Sequence, residues 1–165
     1  PVIAEALAML LDDTAPRKTR LHALWSLVGA EPLRPEFHAK LAAHADPSFR
    51  AWAVRAAGNA RKVDAAVRES VEKLVDDAHP DVKLQVVIAA KKIEGIDPLP
   101  LYLKALATCG DDPLIPNIVW QNLHPLLETR STEFLQMVKK YDLKQTPNLA
   151  KIMPRVTERI LAKGK

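Results

Sequence analysis

Residues 46–60 read DPSFRAWAVRAAGNA and residues 79–93 read HPDVKLQVVIAAKKI, and the two stretches share one pattern. Each begins with a polar residue and a proline. The second residue after the proline is apolar and the third is basic, and mostly small and apolar residues follow. Four prolines recur along the chain at intervals of 31, 33 and 33 residues: Pro16, Pro47, Pro80 and Pro113. A fixed period of this length indicates a repeat protein.

Four columns of mostly apolar residues result when the repeats are aligned on these prolines. Within a repeat they are spaced at i, i+4, i+8 and i+11, which is the stripe of an amphipathic helix. Proline is tolerated at the start of such a helix because its missing N–H would have no intrahelical partner there. The columns are Thr19, Phe49, Val82 and Ile115; Ala23, Ala53, Val86 and Val119; Leu27, Ala57, Ala90 and Leu123; and Ala30, Ala60, Ile93 and Leu126.

A second set of helices lies between these, and no segment has the alternating pattern of a strand. This set covers 3–11, 35–45, 63–77, 99–109 and 132–141. We therefore predict an all-α fold, a right-handed α-α superhelix of about four to five helical hairpins, with about nine to ten helices. It forms one domain, with approximate repeats 1–30, 31–62, 63–95, 96–128 and 129–165. We expect Pro125 to end or bend its helix, and Pro154 to begin or kink one.

Composition and charge limit the function. The 165 residues are 48% hydrophobic and include only 5 glycines, which disfavours a glycine-rich phosphate loop. The net charge of +4 comes from residues 139–165, which carry eight basic and two acidic residues. Such a tail can hold phosphate groups or anionic lipid, or it can be a solvated helix face. No apolar run is long enough to cross a bilayer, so we expect no membrane insertion by this segment.

No residues with catalytic or metal-binding chemistry occur at a diagnostic spacing. The five histidines include no HExxH pair. Acidic pairs at 12–13, 76–77 and 111–112 lie at predicted helix ends, where such residues cap backbone groups. Cys109 is the single cysteine, and the sequence places no base beside it. We therefore expect a protein that is not an enzyme and that holds no metal and no cofactor.

The Asp-Pro turn followed by an apolar and a basic residue resembles HEAT repeats of the short kind, whereas tetratricopeptide and ankyrin patterns are absent. Four further stretches narrow this resemblance: DDPLIPNIVWQNLHPLLE at 111–128, NLAKIMPRVTERILA at 148–162, RLHALWSL at 20–27 and RAWAVRAAG at 50–58. They are similar to the HEAT-repeat segment of large bacterial membrane-bound dehydrogenase-type proteins. One difference is Gln121, where a second aromatic residue often follows the tryptophan.

In that family a propeller resembling glucose/sorbosone dehydrogenase precedes the repeats, and a c-type cytochrome domain follows. The resemblance implies that this chain, which begins with proline, is a segment of a larger protein. It also implies that the partners are neighbouring domains of the same chain, and that the location is periplasmic or membrane-associated. The chain has no propeller sequence and no CxxCH motif, so no residue here carries the family's redox chemistry.

Two adjacent rows of residues lie opposite the core stripe and form a candidate partner surface. The first row is Arg20, Arg50 and Lys83, and the second is Trp25, Arg55 and Ile88. Their mixture of positive charge and large apolar groups is expected of a recognition surface. In the alternative, Arg50 and Lys83 bond Asp46 and its equivalents between repeats, and Trp25 is covered by the preceding repeat. We expect a structural role for Arg50 and a surface role for Arg55.

The leading hypothesis is a non-enzymatic scaffold or protein-interaction module, because stacked helical repeats present an extended surface rather than a pocket. The alternative is a nucleic-acid-binding HEAT-like protein related to DNA-repair glycosylases, with Arg20, Arg50, Arg55 and Lys83 contacting phosphates. The net negative charge of residues 1–138 makes nucleic acid the less favoured partner. A chromophore-lyase-like HEAT protein is a third hypothesis, although no residue pattern marks a pigment site.

Overall fold

A computed structural model describes residues 5–6, 9–10, 12, 14–30 and 32–162 of the chain. Every regular element in these residues is helical and none is a strand, which confirms the all-α prediction. The elements are α1 (Arg17–Ala30), α2 (Pro35–Ala42), α3 (Pro47–Ala60), α4 (Ala65–Lys73), a 3-10 turn (Leu74–Asp76), α5 (Pro80–Ala90), α6 (Pro98–Thr108), α7 (Ile115–Leu123), α8 (Leu127–Val138) and α9 (Pro147–Ala162). Residues 5, 6, 9 and 10 are also helical, and the rest of the predicted helix 3–11 lies outside the described residues.

A proline and a capping side chain begin several of these helices. Asp46, His79 and Asp97 directly precede the first residues of α3, α5 and α6, each of which is a proline. Oδ1 of Asp46 accepts a hydrogen bond from the Ser48 backbone N at 2.8 Å, and Nδ1 of His79 accepts one from the Asp81 N at 3.3 Å. These bonds satisfy backbone N–H groups that have no intrahelical partner. Two prolines of the sequence period, Pro47 and Pro80, are therefore the first residues of helices, whereas Pro16 and Pro113 lie one and two residues before theirs.

Several predicted boundaries differ from the observed ones. Helix α2 ends at Ala42 rather than at residue 45, and the predicted helix 63–77 is α4 followed by the 3-10 turn. Asp64 precedes α4, but its side chain makes no capping hydrogen bond. Helix α7 ends at Leu123, just before Pro125, as predicted. Pro154 lies inside α9 and does not begin a helix.

Helix α8 begins at Leu127, and the part of it that follows the bend at Arg130 begins close to the predicted residue 132. Its backbone leaves helical geometry at Arg130, where φ is −121° and ψ is 23°. The guanidinium of Arg130 donates to both carboxylate oxygens of Asp97, at 2.8 Å each, and so binds α8 to the start of α6. This bidentate contact accompanies a bend that the repeat spacing does not foresee.

Helix α3 packs most extensively on α5, and α5 packs in turn on α7. The approach of α3 to α5 is close at Gly58, because a Cβ added there would lie 3.1 Å from Cβ of Ala89. The alternate helices lie against this set: α2 contacts α3 and α4, and α6 contacts α5 and α7. The second helices of the predicted hairpins are therefore neighbours in space.

The core is built from the predicted columns. Two columns are buried in all four repeats: Ala23, Ala53, Val86 and Val119, and Leu27, Ala57, Ala90 and Leu123. A third column is buried except at Thr19, which is exposed. The fourth column is buried only at Ile93, since Ala30 is exposed and Ala60 and Leu126 are half-buried. The buried side chains form two hydrophobic clusters, and the boundary between them falls inside α3, between Ala53 and Val54.

Candidate functional site

The side chains of the first predicted row of basic residues make contacts within the protein. This row is Arg20, Arg50 and Lys83. Arg20 is half-buried, and its Nε donates to the carbonyl of Leu10 at 3.1 Å. Its guanidinium carbon lies 5.3 Å from the ring centroid of Phe49, and its Nη2 lies 3.3 Å from Nε2 of His44. Arg20 thereby links α1 to the segment that precedes α3.

Arg50 makes hydrogen bonds on every side of its guanidinium. Nε donates to Oδ2 of Asp77 at 2.6 Å and Nη2 donates to Oδ1 at 2.8 Å, while Nη1 donates to the carbonyls of His44 and Ala45 at 2.8 Å each. The side chains of Arg50 and Asp77 are only 17% and 6% exposed. The guanidinium lowers the pKa of Asp77 below its ordinary value through this hydrogen bond. Arg50 is therefore occupied inside the protein.

Lys83 is buried, with 8% of its surface exposed. Its Nζ donates to the carbonyl of Thr108 at 2.8 Å and lies 3.0 Å from the Oγ1 of the same residue. Thr108 is the last residue of α6, where helix carbonyls carry partial negative charge. The prediction that Lys83 belongs to an exposed row is therefore wrong, because the end of α6 takes up its charge.

The bonding partners of this row also differ from those expected. Neither Arg50 nor Lys83 bonds Asp46 or an aligned residue in the described part of the chain. Asp46 instead caps α3 and forms an ion pair with Arg17 of α1. Long side chains in the first turn of a helix reach the end of a neighbouring helix, whose last carbonyls have no intrahelical partner. The row is thus a set of internal links.

The second row stays at the surface at its first two positions. Trp25 is 41% exposed rather than covered by a repeat, and its ring centroid lies 4.8 Å from that of His22 in an edge-on arrangement. The Trp25 centroid also lies 5.7 Å from that of Trp52. Arg55 is exposed, and its guanidinium carbon lies 4.7 Å from the Trp52 centroid. A guanidinium over an indole ring is a favourable cation–π arrangement.

Ile88, the third member of this row, is half-buried and lines a groove of about 230 Å³ between α3 and α5. The groove is also lined by two cations, Arg55 and Lys92, and by no acidic residue. The exposed indole of Trp25 lies on α1, next to Trp52 and Arg55 of α3, and the groove lies between α3 and α5. We name them the aromatic–cationic surface, which consists of His22, Trp25, Trp52, Arg55, Ile88 and Lys92.

Sequence reasoning alone misses three members of this surface: His22, Trp52 and Lys92. A signal was present for two of them. His22 and Trp52 occupy aligned positions, each three residues before a predicted member, Trp25 or Arg55. Residues at i and i+3 share a helix face, so the row extends to them. The ring contact between the two tryptophans depends on the packing of α1 beside α3, and no spacing in the sequence contains it.

Charge is segregated among the helices. Helices α1, α3, α5 and α7 carry six basic residues and one acidic residue, Asp81. In contrast, α2, α4, α6 and α8 carry five basic and five acidic residues. The helices that bear the aromatic–cationic surface therefore have an excess of basic residues, although residues 1–138 as a whole are net acidic. Arg50 and Lys83 are held by internal bonds, and Arg55 is exposed.

Some of the acidic pairs bond backbone groups, as the sequence predicts, and one also forms an ion pair. Oδ1 of Asp112 accepts from the backbone N of Leu114 at 2.9 Å and of Ile115 at 2.8 Å. Asp76 pairs with Lys104 at 2.5 Å. The partner of Asp12 in the pair 12–13 lies outside the described residues. Among the residues that the structure describes, no three side chains of the metal-binding types come together.

Cys109 is buried at the end of α6, and burial raises the pKa of its thiol. Nδ2 of Asn148 lies 3.2 Å from its Sγ and donates to the carbonyl of Gly110 at 2.5 Å. A buried thiol with a raised pKa is a poor nucleophile. The contacts of Asn148 with Cys109 and Gly110 instead join the start of α9 to the loop after α6.

Part of the basic C-terminal segment is used in contacts with other helices. The guanidinium carbon of Arg155 lies 4.3 Å from the ring centroid of Trp120, and Arg159 forms an ion pair with Glu128. Lys163 and Lys165 lie outside the described residues. The excess charge of 139–165 therefore includes side chains that attach α9 to α7 and α8.

Comparison with protein-family models, with curated proteins and with solved structures found no match for this chain. Within the described residues, no helix combines the length and the apolar character that crossing a membrane requires. The arrangement of residues described above is thus the basis for a functional proposal.

Proposed function

We propose that this chain is a non-enzymatic, HEAT-like scaffold that binds an acidic segment of a partner protein on the aromatic–cationic surface. The solenoid arrangement, a right-handed superhelix of helical hairpins, is part of the proposal. It is supported by the sequential packing of α3, α5 and α7 and by two links at aligned positions, Arg20 to His44 and Arg50 to Asp77.

The observation that carries the proposal is the exposed indole of Trp25 beside Trp52 and Arg55. Tryptophan and arginine are enriched among residues that dominate binding energy at protein interfaces. A partner that covers Trp25 removes apolar area from water without ordering a flexible chain, because the ring already rests against Trp52. The groove at Ile88 offers a place for a neighbouring apolar side chain of the partner.

The charge of the surface favours an acidic partner segment. Arg55 and Lys92 flank the groove, and the four helices on this side carry a single acidic residue. Charge complementarity increases the association rate and selects between partners. By the family resemblance, the partner is a neighbouring domain of the same parent chain in the periplasm or at its membrane. The segment then spaces and docks a dehydrogenase propeller and a cytochrome domain.

Most of the residues that the nucleic-acid hypothesis assigns to phosphate contacts are engaged within the protein. Of its four candidate phosphate contacts, Arg50 and Lys83 are occupied by internal hydrogen bonds and Arg20 is half-buried. Arg55 alone stays exposed. Phosphate binding depends on several cations that neutralise neighbouring phosphates together, and a single exposed arginine does not supply them.

A binding titration tests the proposal. The probes are a fluorescein-labelled helical peptide that has glutamates around a leucine stripe, the same peptide with lysines in place of glutamates, and a single-stranded oligonucleotide of matched charge. We expect the acidic peptide to bind best, and Trp25→Ala to weaken it by on the order of 30-fold. Arg55→Ala should weaken binding of the acidic peptide more at low salt than at high salt. At high salt, screening already removes the attraction between Arg55 and the glutamates of the peptide.

The control variant is Lys139→Ala, which removes an exposed cation after α8, outside the aromatic–cationic surface. It should leave peptide affinity unchanged. All three variants should keep the wild-type melting temperature. Tighter binding of the oligonucleotide, or equal loss of peptide affinity in the Lys139 variant, would overturn the proposal.

A further inference from the structure

An incompletely filled seam separates the two hydrophobic clusters of the core. The clusters meet within α3, and on one side of this boundary two clefts of about 250 and 310 Å³ lie on either side of Pro32 and Leu33. Ala56 and Ala60 of α3 form a wall of both clefts. At the position of Ala60, two other repeats have the larger residues Ile93 and Leu126.

The larger cleft is bordered by a histidine with no bonding partner. His38 of α2 is 3% exposed, and both of its ring nitrogens are buried without a hydrogen-bond partner among the described residues. Leaving a buried polar group unpaired costs free energy, and native proteins rarely do so without a ligand, water or functional reason. The backbone carbonyls of Ala53 and of His38 itself lie near the ring, but neither completes a hydrogen bond with it.

The imidazole of His38 is neutral near pH 7, because burial lowers its pKa. A neutral imidazole has one N–H donor and one nitrogen acceptor. A 180° rotation of the ring about χ2 exchanges each nitrogen with a carbon, so either edge can present a nitrogen to the cleft. The edge that faces the cleft presents either the N–H or the bare nitrogen, depending on the tautomer, and a hydroxyl can pair with either one because it both donates and accepts.

We propose that the larger cleft, bordered by His38, Ala56, Ala60 and Val67, binds a small uncharged aromatic alcohol of the phenol class, whose hydroxyl bonds to His38. Apart from His38, Lys62 and Asp64 the lining is apolar, which suits an aromatic ring. An enclosed apolar cavity of about 150 Å³ admits benzene. The volume of about 310 Å³ therefore holds one substituted ring. The site is separate from the aromatic–cationic surface, and it does not depend on the proposed function.

A pair of ligands that match in shape provides the test: p-cresol, which has a hydroxyl, and p-xylene, which has a methyl group in its place. Each is titrated into the ¹⁵N-labelled chain while amide resonances are followed. We expect saturable shifts at Ala56, Ala60 and Val67 with both probes, and tighter binding of p-cresol. His38→Leu should weaken the binding of p-cresol about tenfold, because one hydrogen bond is lost. The affinity for p-xylene should stay equal or rise.

A variant that fills the cleft makes the test independent of His38. Ala60→Leu should abolish binding of both probes while the melting temperature is kept, and Ala56→Val serves if that variant does not fold. The proposal would be overturned by shifts that do not saturate or that are confined to the aromatic–cationic surface. It would also be overturned if the folded His38→Leu variant lost affinity for both probes equally.

Discussion

Arg50 and Asp77 form a bidentate ion pair that joins α3 to the loop before α5, with Nε to Oδ2 at 2.6 Å and Nη2 to Oδ1 at 2.8 Å. The two residues lie 27 positions apart in the sequence. Both side chains are largely shielded from water. Geometry of this kind gives a paired carboxylate and guanidinium more strength and direction than an exposed ion pair has.

We expect Arg50→Ala to lower the free energy of unfolding by about 2 kcal/mol, because it removes charged hydrogen bonds and leaves Asp77 without its cation. Chemical denaturation measures this change. Lys18→Ala, on the exposed face of α1, is the control and should change stability little. A double-mutant cycle with Asp77→Ala should give a coupling energy of about 1 kcal/mol or more, and additive effects of the two substitutions would contradict the link.

Acid should destabilise the fold through Asp46. Hydrogen bonding to Arg17 lowers the pKa of Asp46 from 3.8 to about 2. A carboxylate with a depressed pKa in the folded state stabilises it fully above the unfolded value, and this contribution is lost as the pH falls through the folded value. The melting temperature should therefore fall between about pH 4 and pH 2.

Asp46→Asn tests this origin of the acid sensitivity, because asparagine keeps the helix cap and removes the titrating charge. The variant should start from a lower melting temperature at pH 6 and lose less of it on acidification. Part of the fall in melting temperature with acid should remain in this variant, because the pKa values of Asp77 and Asp97 are also lowered. An unchanged pH profile in Asp46→Asn would rule out the assigned role.

Two glycines in helices should respond to alanine in opposite directions. At Gly58 a new Cβ would lie 3.1 Å from Ala89 Cβ, so α3 and α5 must separate. At Gly29 a new Cβ meets no atom within 4 Å. Gly58→Ala should lower stability by about 1 kcal/mol, since overpacking exceeds the gain in helix propensity. Gly29→Ala should raise it by about 0.5 kcal/mol, and thermal melts of the pair decide whether α3 and α5 pack this closely.

Removing the hydroxyl of Tyr102 should stabilise the protein. Tyr102 is fully buried in α6, its hydroxyl oxygen has no hydrogen-bond partner among the described residues, and burial raises its pKa. Tyr102→Phe keeps the ring and removes the unpaired group, so the free energy of unfolding should rise by about 1 kcal/mol. Tyr141→Phe, at a half-buried position, is the control. A destabilised Tyr102→Phe variant would show that the hydroxyl has a partner.

The sequence by itself determined the all-α fold, the helix starts at Pro47 and Pro80, and the two columns that are buried in every repeat. These features depend on local chemistry: a proline fixes the first turn, and a stripe of apolar residues defines one helix face. The capping side chains Asp46 and His79 act on a backbone N–H two residues ahead. Their roles can therefore be inferred from neighbours in the chain.

Only the tertiary structure decided which basic residues are free. Arg50 and Arg55 stand five residues apart on one helix, yet Asp77 occupies one and Trp52 supports the other at the surface. The burial of Lys83 against Thr108 and the bend at Arg130 beside Asp97 arise in the same way. The offset between neighbouring helices sets these contacts, and it results from side-chain packing across residues far apart in the chain, which no spacing within one helix encodes.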